Sequence, residues 1–200
     1  MKSVPSPGKN QTAYHGPLPK VPKNMDTIQL GAFIYDNFDL MDVMGPMRVF
    51  GEKESELDLK INFIASSMKP VKSSQQVMVT PHYTLNSAPK MDLFFMPGGS
   101  AITPVTEKPA VMRQITARVK DSTWTMTVCT GAGILAKTRL MDGFKMTTNK
   151  AAFKWIVDYV GNTSSVTWVK RARWVQDGKY VSSSGLSAGM VCNQPEEAQH

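Results

Sequence analysis

Cys129 is the side chain of this sequence best suited to nucleophilic chemistry. It stands between an apolar run at 124–128 and a segment rich in glycine and alanine at 130–136. A cysteine in a turn from a strand to a helix exposes its side chain and lies where helix N–H groups favour an anion. Both effects predict a lowered thiol pKa and a larger fraction of nucleophilic thiolate. The position also leaves a second interpretation open, which is a buried and inert cysteine.

Asp42 is the candidate for proton transfer. It lies in the apolar stretch Leu-Met-Asp-Val-Met, just before a Gly-Pro pair at 45–46. An acid in such surroundings is expected to have a raised pKa and to exchange a proton with a neighbouring thiol. Beside a thiolate at Cys129, the proton shared by the pair is expected on Asp42. A helix cap is the alternative for Asp42, and Asp39 is interpreted as a loop or cap residue.

Two glycine segments complete the set of candidate site residues. Gly98 and Gly99 follow Pro97 and are candidate backbone N–H donors to a developing oxyanion, although a strand-ending turn is the simpler interpretation. Gly131 keeps the turn after Cys129 small enough for a substrate to approach. The spacing of the three histidines is typical of neither a Cys–His dyad nor a metal site, so no metal is predicted.

The composition excludes several classes of protein. Of the 200 residues, 42% are hydrophobic and 20% are charged, which is enough apolar material for one folded core. No run approaches the roughly 18 apolar residues of a membrane helix. The net charge of +7 includes +3 from residues 1–27, and the remaining +4 is too scattered to predict a nucleic-acid partner. Two cysteines cannot build a disulfide framework, which favours a reducing compartment such as the cytoplasm.

The pattern along the chain predicts one α/β domain. Residues 1–26 lack a hydrophobic period and are predicted to be a disordered leader, 27–190 to be the folded domain and 191–200 an atypical tail. Strands are predicted at 28–35, 57–64, 91–96, 124–128, 166–169, 172–175 and 180–182, helices at 44–50, 109–121, 130–136 and 151–160, and a small β-hairpin or edge excursion at 77–85. Such alternation favours an α/β sandwich around a mainly parallel sheet.

The candidate residues fall at the carboxyl ends of different predicted strands. Segments 39–46, 97–100 and 128–131 each follow an apolar strand. Ligands of parallel α/β sheets bind at this edge, near a topological switch point. We therefore expect the three segments to converge on one pocket.

Taken in order, these motifs resemble those of the ThiJ/PfpI superfamily. The matching segments are FDLMDVMGP at 38–46, DLFFMPGG at 92–99, VCTGAGILA at 128–136, LMDG at 140–143, TTNK at 147–150, ARWVQDG at 172–178 and SSGLSAG at 183–189. They span nearly everything from residue 28 to residue 190. The resemblance implies a flavodoxin-like, three-layer fold of the class I glutamine amidotransferase type.

Cys-Thr-Gly at 129–131 and the Asp-x-x-Gly-Pro motif that begins at Asp42 look like the isocyanide hydratase branch of this superfamily. Members of that branch hydrate an isocyanide to an N-substituted formamide without a cofactor. The resemblance implies that Cys129 attacks the isocyanide carbon, that Asp42 moves protons and positions water, and that Thr130 assists them. It further implies that backbone N–H groups near Gly99 and Thr130 frame the pocket, that the ligand is a small molecule and that the protein is a homodimer.

Two alternatives to a hydratase stay open. The first is a non-catalytic, redox-sensing or stress-response binding protein that uses the same thiolate. The second is an enzyme like the related glyoxalases and deglycases, although these usually carry Glu where this chain has Asp42.

The sequence departs from the hydratase pattern at two places. Asn149 stands where many hydratase-like members have His. The segment at 187–190 normally continues into Asp and a long helix, whereas here it is followed by the unrelated residues 191–200. The C-terminus is therefore expected to be truncated, and loss of the helix would expose one face of the sheet.

Overall fold

An eight-stranded, mainly parallel β-sheet forms the centre of the molecule. The computed structural model describes residues 13–15, 27–51 and 58–185. Its strands are β1 (Ala13–His15), β2 (Thr27–Phe33), β3 (Asp58–Ala65), β4 (Val71–Lys72), β5 (Met78–Val79), β6 (Tyr83–Thr84), β7 (Leu93–Met96), β8 (Trp124–Val128), β9 (Lys145–Met146), β10 (Thr167–Trp168), β11 (Trp174–Asp177) and β12 (Tyr180–Ser183). The order across the large sheet is β1-β11-β12-β8-β7-β2-β3-β6, and β4–β5 and β9–β10 form two small sheets.

The six neighbouring strands from β12 to β6 are all parallel. At the other edge, β11 runs antiparallel to β12, and β1 pairs with β11 in parallel. The central strands β2 and β7 bury successive residues such as Ala32 and Phe33, or Phe94 and Phe95, rather than alternate ones. Continuous burial of this kind is typical of a parallel sheet that is covered on both faces.

The five α-helices of the described residues provide that cover. They are α1 (Leu40–Phe50), α2 (Ile102–Thr106), α3 (Pro109–Asp121), α4 (Gly131–Lys137) and α5 (Phe153–Val160), the last followed by a 3₁₀ turn at Gly161–Thr163. The crossover through α1 moves from β2 to β3, whereas the crossover through α2 and α3 moves the opposite way, from β7 to β8. Because such crossovers are right-handed, α1 lies on one face of the sheet and α2–α3 on the other. The predicted three-layer, flavodoxin-like α/β fold is thereby confirmed.

Several predicted elements agree closely with the structure, and α1 does not. The bounds of β8 and α3 are those predicted, at 124–128 and 109–121. Helix α1 begins at Leu40, four residues earlier than predicted, so Pro46 lies inside the helix and not in its first turn. The earlier start has a local cause, since the Asp39 side chain accepts hydrogen bonds from the N–H groups of Met41 and Asp42.

The segment predicted as a small β-hairpin or edge excursion at 77–85 contains both, since it holds the second strand of an antiparallel hairpin and an edge strand of the main sheet. The strands of the hairpin are β4 and β5, at 71–72 and 78–79. Beyond Pro81, which cannot donate to a ladder, the chain instead joins the main sheet as β6 beside β3. The N–H groups of His82 and Leu85 complete this pairing by donating to the carbonyls of Phe63 and Ala65.

Part of the predicted leader has regular structure. Residues 13–15 form β1, which takes up the edge of β11 that would otherwise leave backbone groups unpaired. The rest of the predicted leader 1–26 and the whole tail 191–200 lie outside the described residues. In the part of the chain that is described, no helix is long and apolar enough to cross a membrane.

Candidate active site

The three segments predicted to converge do meet at the carboxyl edge of the sheet. From β2 the chain passes to β3 on one side, whereas β7 leads to β8 on the other, so a topological switch point lies between β2 and β7. The N–H of Gly98 donates to Asp42 Oδ2 at 3.1 Å, and the N–H of Gly99 donates to Thr130 Oγ1 at 2.9 Å. These bonds join the segments that follow β2, β7 and β8.

Cys129 occupies the predicted turn between β8 and α4. Its φ of +57° lies in the left-handed region, which costs about 1–2 kcal/mol for a residue with a Cβ atom. Two contacts hold it there. Its N–H donates to the carbonyl of Ser183 at 3.0 Å, and its own carbonyl accepts the hydroxyl of Thr148 at 2.8 Å. The backbone thus leaves the strand abruptly and directs the thiol toward the switch point.

Two glycines allow the loops to approach one another. A Cβ atom on Gly98 would lie 2.7 Å from Asp42 Oδ2, 2.7 Å from Thr130 N and 2.8 Å from the Cβ atom of Cys129. A Cβ atom on Gly131 would lie 2.5 Å from the carbonyl oxygen of Met96 and 2.6 Å from that of Pro97. Real Cβ atoms do not tolerate such distances, so both positions require glycine for close packing of backbone segments.

The sulfur of Cys129 faces one carboxyl group and one amide. The carboxyl group of Asp42 lies beside the thiol, since Asp42 Oδ2 and the Cys129 Cβ atom flank the same point over Gly98. On another side, Asn149 Nδ2 donates to Sγ at 3.2 Å. The amide of Asn149 has a fixed orientation because its Oδ1 accepts the N–H of Ala152 at 3.0 Å. Asn149 therefore belongs to the site, at the position where the sequence departs from the hydratase pattern.

The pKa of the Cys129 thiol is raised, whereas the sequence analysis predicts that it is lowered. Burial raises the pKa of Cys129 to about 12, and the negative charge of Asp42 acts in the same direction. The hydrogen bonds from the Thr130 N–H and from Asn149 oppose this rise but do not cancel it. The predicted lowering of the thiol pKa is therefore wrong, because desolvation outweighs the few N–H groups at the start of the short helix α4.

The predicted rise in the pKa of Asp42 is confirmed. Burial, followed by the charge of Asp39, raises the pKa of Asp42 to about 6, against the hydrogen bonds from Gly98 and Cys129. Since this value lies below that of the thiol, the proton of the pair resides on sulfur near neutral pH and the carboxylate accepts it in a hydrogen bond. The expectation that Asp42 holds the proton is therefore wrong, because desolvation keeps the thiol protonated.

Thr130, Gly98 and Gly99 have partners that the sequence analysis did not anticipate. The Thr130 hydroxyl accepts the N–H of Gly99 and donates to the carbonyl of the same residue at 3.0 Å. The N–H of Gly98 is bonded to Asp42. In this conformation neither glycine N–H is free to donate to a substrate oxyanion, contrary to the interpretation of Gly98 and Gly99. The backbone donor to Cys129 is instead the N–H of Thr130.

The sequence pattern of the DJ-1/PfpI family matches residues 31–193. The chain belongs to the DJ-1/PfpI family. It is 26% identical over 163 residues to the isonitrile hydratase of Pseudomonas putida, a match that covers 82% of this chain and 68% of that protein. The family resemblance inferred from the motifs is thereby confirmed.

Solved structures of the family share this fold. A ThiJ/PfpI family protein from Pseudomonas syringae superposes with a TM-score of 0.69 at 25% identity, over 82% of this chain and 65% of that one. DJ-1beta of Drosophila melanogaster superposes with a TM-score of 0.68 at 17% identity, over 84% of this chain and 87% of that one. The chain thus spans slightly less than two thirds of the P. syringae protein.

Tyr35 is a site residue that the sequence analysis missed. It follows β2, is only 6% exposed and donates its hydroxyl to the carbonyl of Pro97 at 3.0 Å. The pKa of its phenol is raised well above the ordinary value, first by burial and then by the charges of Asp42, Cys129 and Asp39. In the sequence Tyr35 ends an apolar run, and this pattern predicts only that it belongs to the strand. The one signal of a role in the site is its hydroxyl group, which lies at the carboxyl end of a predicted strand.

Asp39 caps α1, as its cap interpretation predicts, and does not reach the thiol. It accepts the N–H groups of Met41 and Asp42, and its other oxygen accepts Gln75 Nε2 at 3.2 Å. Within the described residues, no three His, Cys, Asp or Glu side chains come together as a metal site. The arrangement thus offers a thiol, a carboxylate that can take its proton, and neutral hydrogen-bond donors around them.

Proposed function

We propose that this protein is a cysteine-dependent hydratase that converts a small isocyanide to an N-substituted formamide. The observation that carries the proposal is that the Cys129 thiol lies beside the buried carboxyl group of Asp42 and accepts a hydrogen bond from Asn149. An isocyanide is uncharged and has an electrophilic terminal carbon that must gain both a nucleophile and a proton. The likeness to the P. putida isonitrile hydratase, at 26% identity, supports the same reaction class.

In the first step, the carbon of R–N≡C gains sulfur and one proton. Asp42 accepts the thiol proton as Sγ of Cys129 bonds to the terminal carbon, and the protonated Asp42 then delivers that proton to the same carbon. The product is a thioimidate, R–N=CH–S–Cys129, and no oxidant or reductant is needed. A carboxyl group with a pKa of about 6 suits both halves of this transfer near neutral pH.

In the second step, water replaces sulfur. Asp42 removes a proton from water as the water oxygen bonds to the thioimidate carbon, and the protonated Asp42 gives that proton to the imine nitrogen. The tetrahedral adduct R–NH–CH(OH)–S–Cys129 then loses sulfur and forms R–NH–CHO, while the hydroxyl proton returns to sulfur. The sum is R–NC plus water to the formamide. The Asn149 amide and the Thr130 N–H stabilise the negative charge on departing sulfur.

The two alternatives receive less support from the site. A peroxide sensor requires a large fraction of thiolate, whereas the pKa of Cys129 is raised to about 12. The glyoxalase and deglycase alternative conflicts with an aspartate, rather than a glutamate, at position 42. The proposed reaction avoids the first difficulty because Asp42 deprotonates the thiol during attack.

A homodimer in a reducing compartment such as the cytoplasm is the proposed setting of this activity. Cys129 is a free cysteine, as the reaction requires. Met41 on α1 and Val77 and Met78 on the hairpin are 44–56% exposed, and Gln75 bonds the hairpin to the start of α1. A second copy would cover such apolar side chains. Light scattering tests this proposal, and a monodisperse monomer would contradict it.

Formamide production tests the proposed reaction. Purified protein mixed with an alkyl isocyanide is expected to yield the formamide, as detected by proton NMR. Cys129→Ser and Asp42→Asn should abolish turnover, whereas Asp39→Asn should retain most of it at neutral pH. Asp42→Asn should still react with iodoacetamide, and faster than the native protein, because the charge that opposes the thiolate is gone.

Three results would contradict the proposal or part of it. No formamide from the native protein, combined with ready peroxide oxidation of Cys129, would favour the sensor. Turnover that survives Cys129→Ser would exclude the covalent route. Turnover that survives Asp42→Asn but not Asp39→Asn would show that the wrong carboxyl group has been assigned.

A further inference from the structure

One peptide unit connects Tyr35 to the carboxylate of the site. The carbonyl of Pro97 accepts the Tyr35 hydroxyl at 3.0 Å, and the N–H of the same peptide, which belongs to Gly98, donates to Asp42 Oδ2 at 3.1 Å. Both hydrogen bonds are buried. The phenol and the carboxylate therefore bind the two ends of a single amide dipole.

A hydrogen bond at the carbonyl end of an amide strengthens the donor at its N–H end. The bond from Tyr35 draws electron density toward the Pro97 oxygen and makes the Gly98 N–H more positive. A stronger donor at Gly98 stabilises the charged form of Asp42 more than its neutral form. The same pair of bonds also prevents rotation of the Pro97–Gly98 peptide, which would withdraw the N–H from the carboxylate.

The ring of Tyr35 gives its hydroxyl a fixed place. It packs against Phe33, with ring centroids 5.6 Å apart, and the residue is almost fully buried. Asp39, which caps α1, acts on Asp42 through its charge, and Cys129, after β8, acts on it through a hydrogen bond. The Tyr35 phenol after β2 stays neutral because its own pKa is raised. Tyr35 can thus act as a donor throughout the pH range in which Asp42 titrates.

We propose that Tyr35 is a positioning residue that holds and polarises the Pro97–Gly98 peptide and thereby fixes the Asp42 carboxylate beside Cys129. As a role in catalysis this rests on the proposed hydratase function, but the effect on Asp42 exists without any substrate. A core-filling tyrosine would need only its ring. The Tyr35 hydroxyl donates to the Pro97 carbonyl, which belongs to the same peptide as the Gly98 N–H that donates to Asp42. This arrangement assigns the hydroxyl a second role.

The test compares two changes that should act in opposite directions. Tyr35→Phe keeps the ring and removes the donor, whereas site-specific 3-fluorotyrosine at position 35 keeps the bond and makes the phenol a stronger donor. The readout is the pKa of Asp42, followed through the ¹³C shift of its carboxyl carbon, with the signal assigned by its loss in Asp42→Asn. Tyr159→Phe is the matched control, because the Tyr159 hydroxyl is bonded to Thr106 and not to the Pro97–Gly98 peptide.

We expect Tyr35→Phe to raise the pKa of Asp42 by about 0.3–0.6 units and fluorotyrosine to lower it, with no change in Tyr159→Phe. The acid limb of kcat/KM should move with the carboxyl titration. Shifts of the same sign in both Tyr35 variants, or none in either, would overturn the proposal. If Tyr35→Phe does not fold, the direction of the fluorotyrosine shift decides alone. Opposite shifts without isocyanide turnover in the native protein would support the role of Tyr35 and refute the hydratase.

Discussion

Asn149 donates a hydrogen bond from Nδ2 to the Sγ atom of Cys129 across 3.2 Å. Its other amide atom, Oδ1, accepts the N–H of Ala152 immediately before α5, so the amide cannot turn over without losing that bond. A histidine at this place would titrate near neutral pH and could compete for the thiol proton. The amide favours negative charge on sulfur and cannot take the proton, which leaves Asp42 as the base of the pair.

Asn149→Asp tests this donor. The substituted carboxylate can still accept the N–H of Ala152, but it removes the donor to Sγ and adds a negative charge beside it. We expect iodoacetamide to alkylate Cys129 about tenfold more slowly at a fixed pH of 8, because the thiol pKa rises further. Asn86→Asp, at an exposed loop position, is the control. An unchanged alkylation rate in Asn149→Asp would show that the amide does not act on the sulfur.

Asp39→Asn should make Asp42 more acidic. Asn caps a helix about as well as Asp, so α1 is retained, although the bond to the exposed Gln75 weakens. The charge of Asp39 helps to raise the pKa of Asp42, and its removal should lower that value from about 6 by roughly half a unit. Because the carboxylate form of Asp42 is the active one, the acid limb of kcat/KM moves to lower pH. Asp121→Asn, exposed at the end of α3, should leave the limb in place, and a shift to higher pH in Asp39→Asn would contradict the assignment.

The buried carboxyl group of Asp42 makes the fold less stable at neutral pH. Its pKa is about 6 in the folded protein against an ordinary 3.8, so the folded state binds this proton more tightly than the unfolded state does. The stabilising contribution is full below about pH 4 and is lost as the pH rises through 6, a change of up to about 3 kcal/mol. Asp42→Asn removes this dependence. Its free energy of unfolding should therefore exceed that of the native protein by more at pH 7.5 than at pH 4.

Urea denaturation at the two pH values measures this difference. Glu107→Gln, an exposed change beyond α2, serves as the control and should show the same small difference at both. If the free energy of unfolding of Asp42→Asn differs from that of the native protein by the same amount at pH 4 and pH 7.5, burial does not raise the pKa of the Asp42 carboxyl group.

Gly98→Ala should damage both stability and turnover. The added methyl group would lie 2.7 Å from Asp42 Oδ2 and from the Thr130 nitrogen, and neither the carboxylate nor the backbone can move without breaking the site. We expect a loss of about 1–3 kcal/mol in the free energy of unfolding and little remaining formamide production. Gly185→Ala is the matched control, since a Cβ atom there meets no atom of the described residues within 4 Å. A fully active Gly98→Ala protein would contradict the close packing of the three loops.

The amino-acid sequence by itself determined the layers of the fold and the edge of the sheet at which the site lies. Apolar runs at 124–128 and the 3.6-residue period at 109–121 predicted β8 and α3 to the residue, because burial pattern and period are local properties. The topology of parallel sheets then brought the segments of Asp42, Gly98 and Cys129 together. The predicted start of α1 is wrong, because a proline such as Pro46 is typical of a first turn, whereas the cap at Asp39 decides where the helix begins.

Only the tertiary structure decided which group of the site holds the proton and which atoms the hydrogen-bond donors contact. Whether Cys129 is a thiolate depends on burial and on the carboxylate of Asp42 beside it, and these outweigh the short helix that the sequence shows. The partners of Gly98 and Gly99, and the bond from Tyr35 to Pro97, arise from loops that are distant along the chain. Desolvation and hydrogen-bond partners are properties of the three-dimensional arrangement, and no local pattern of residue types encodes them.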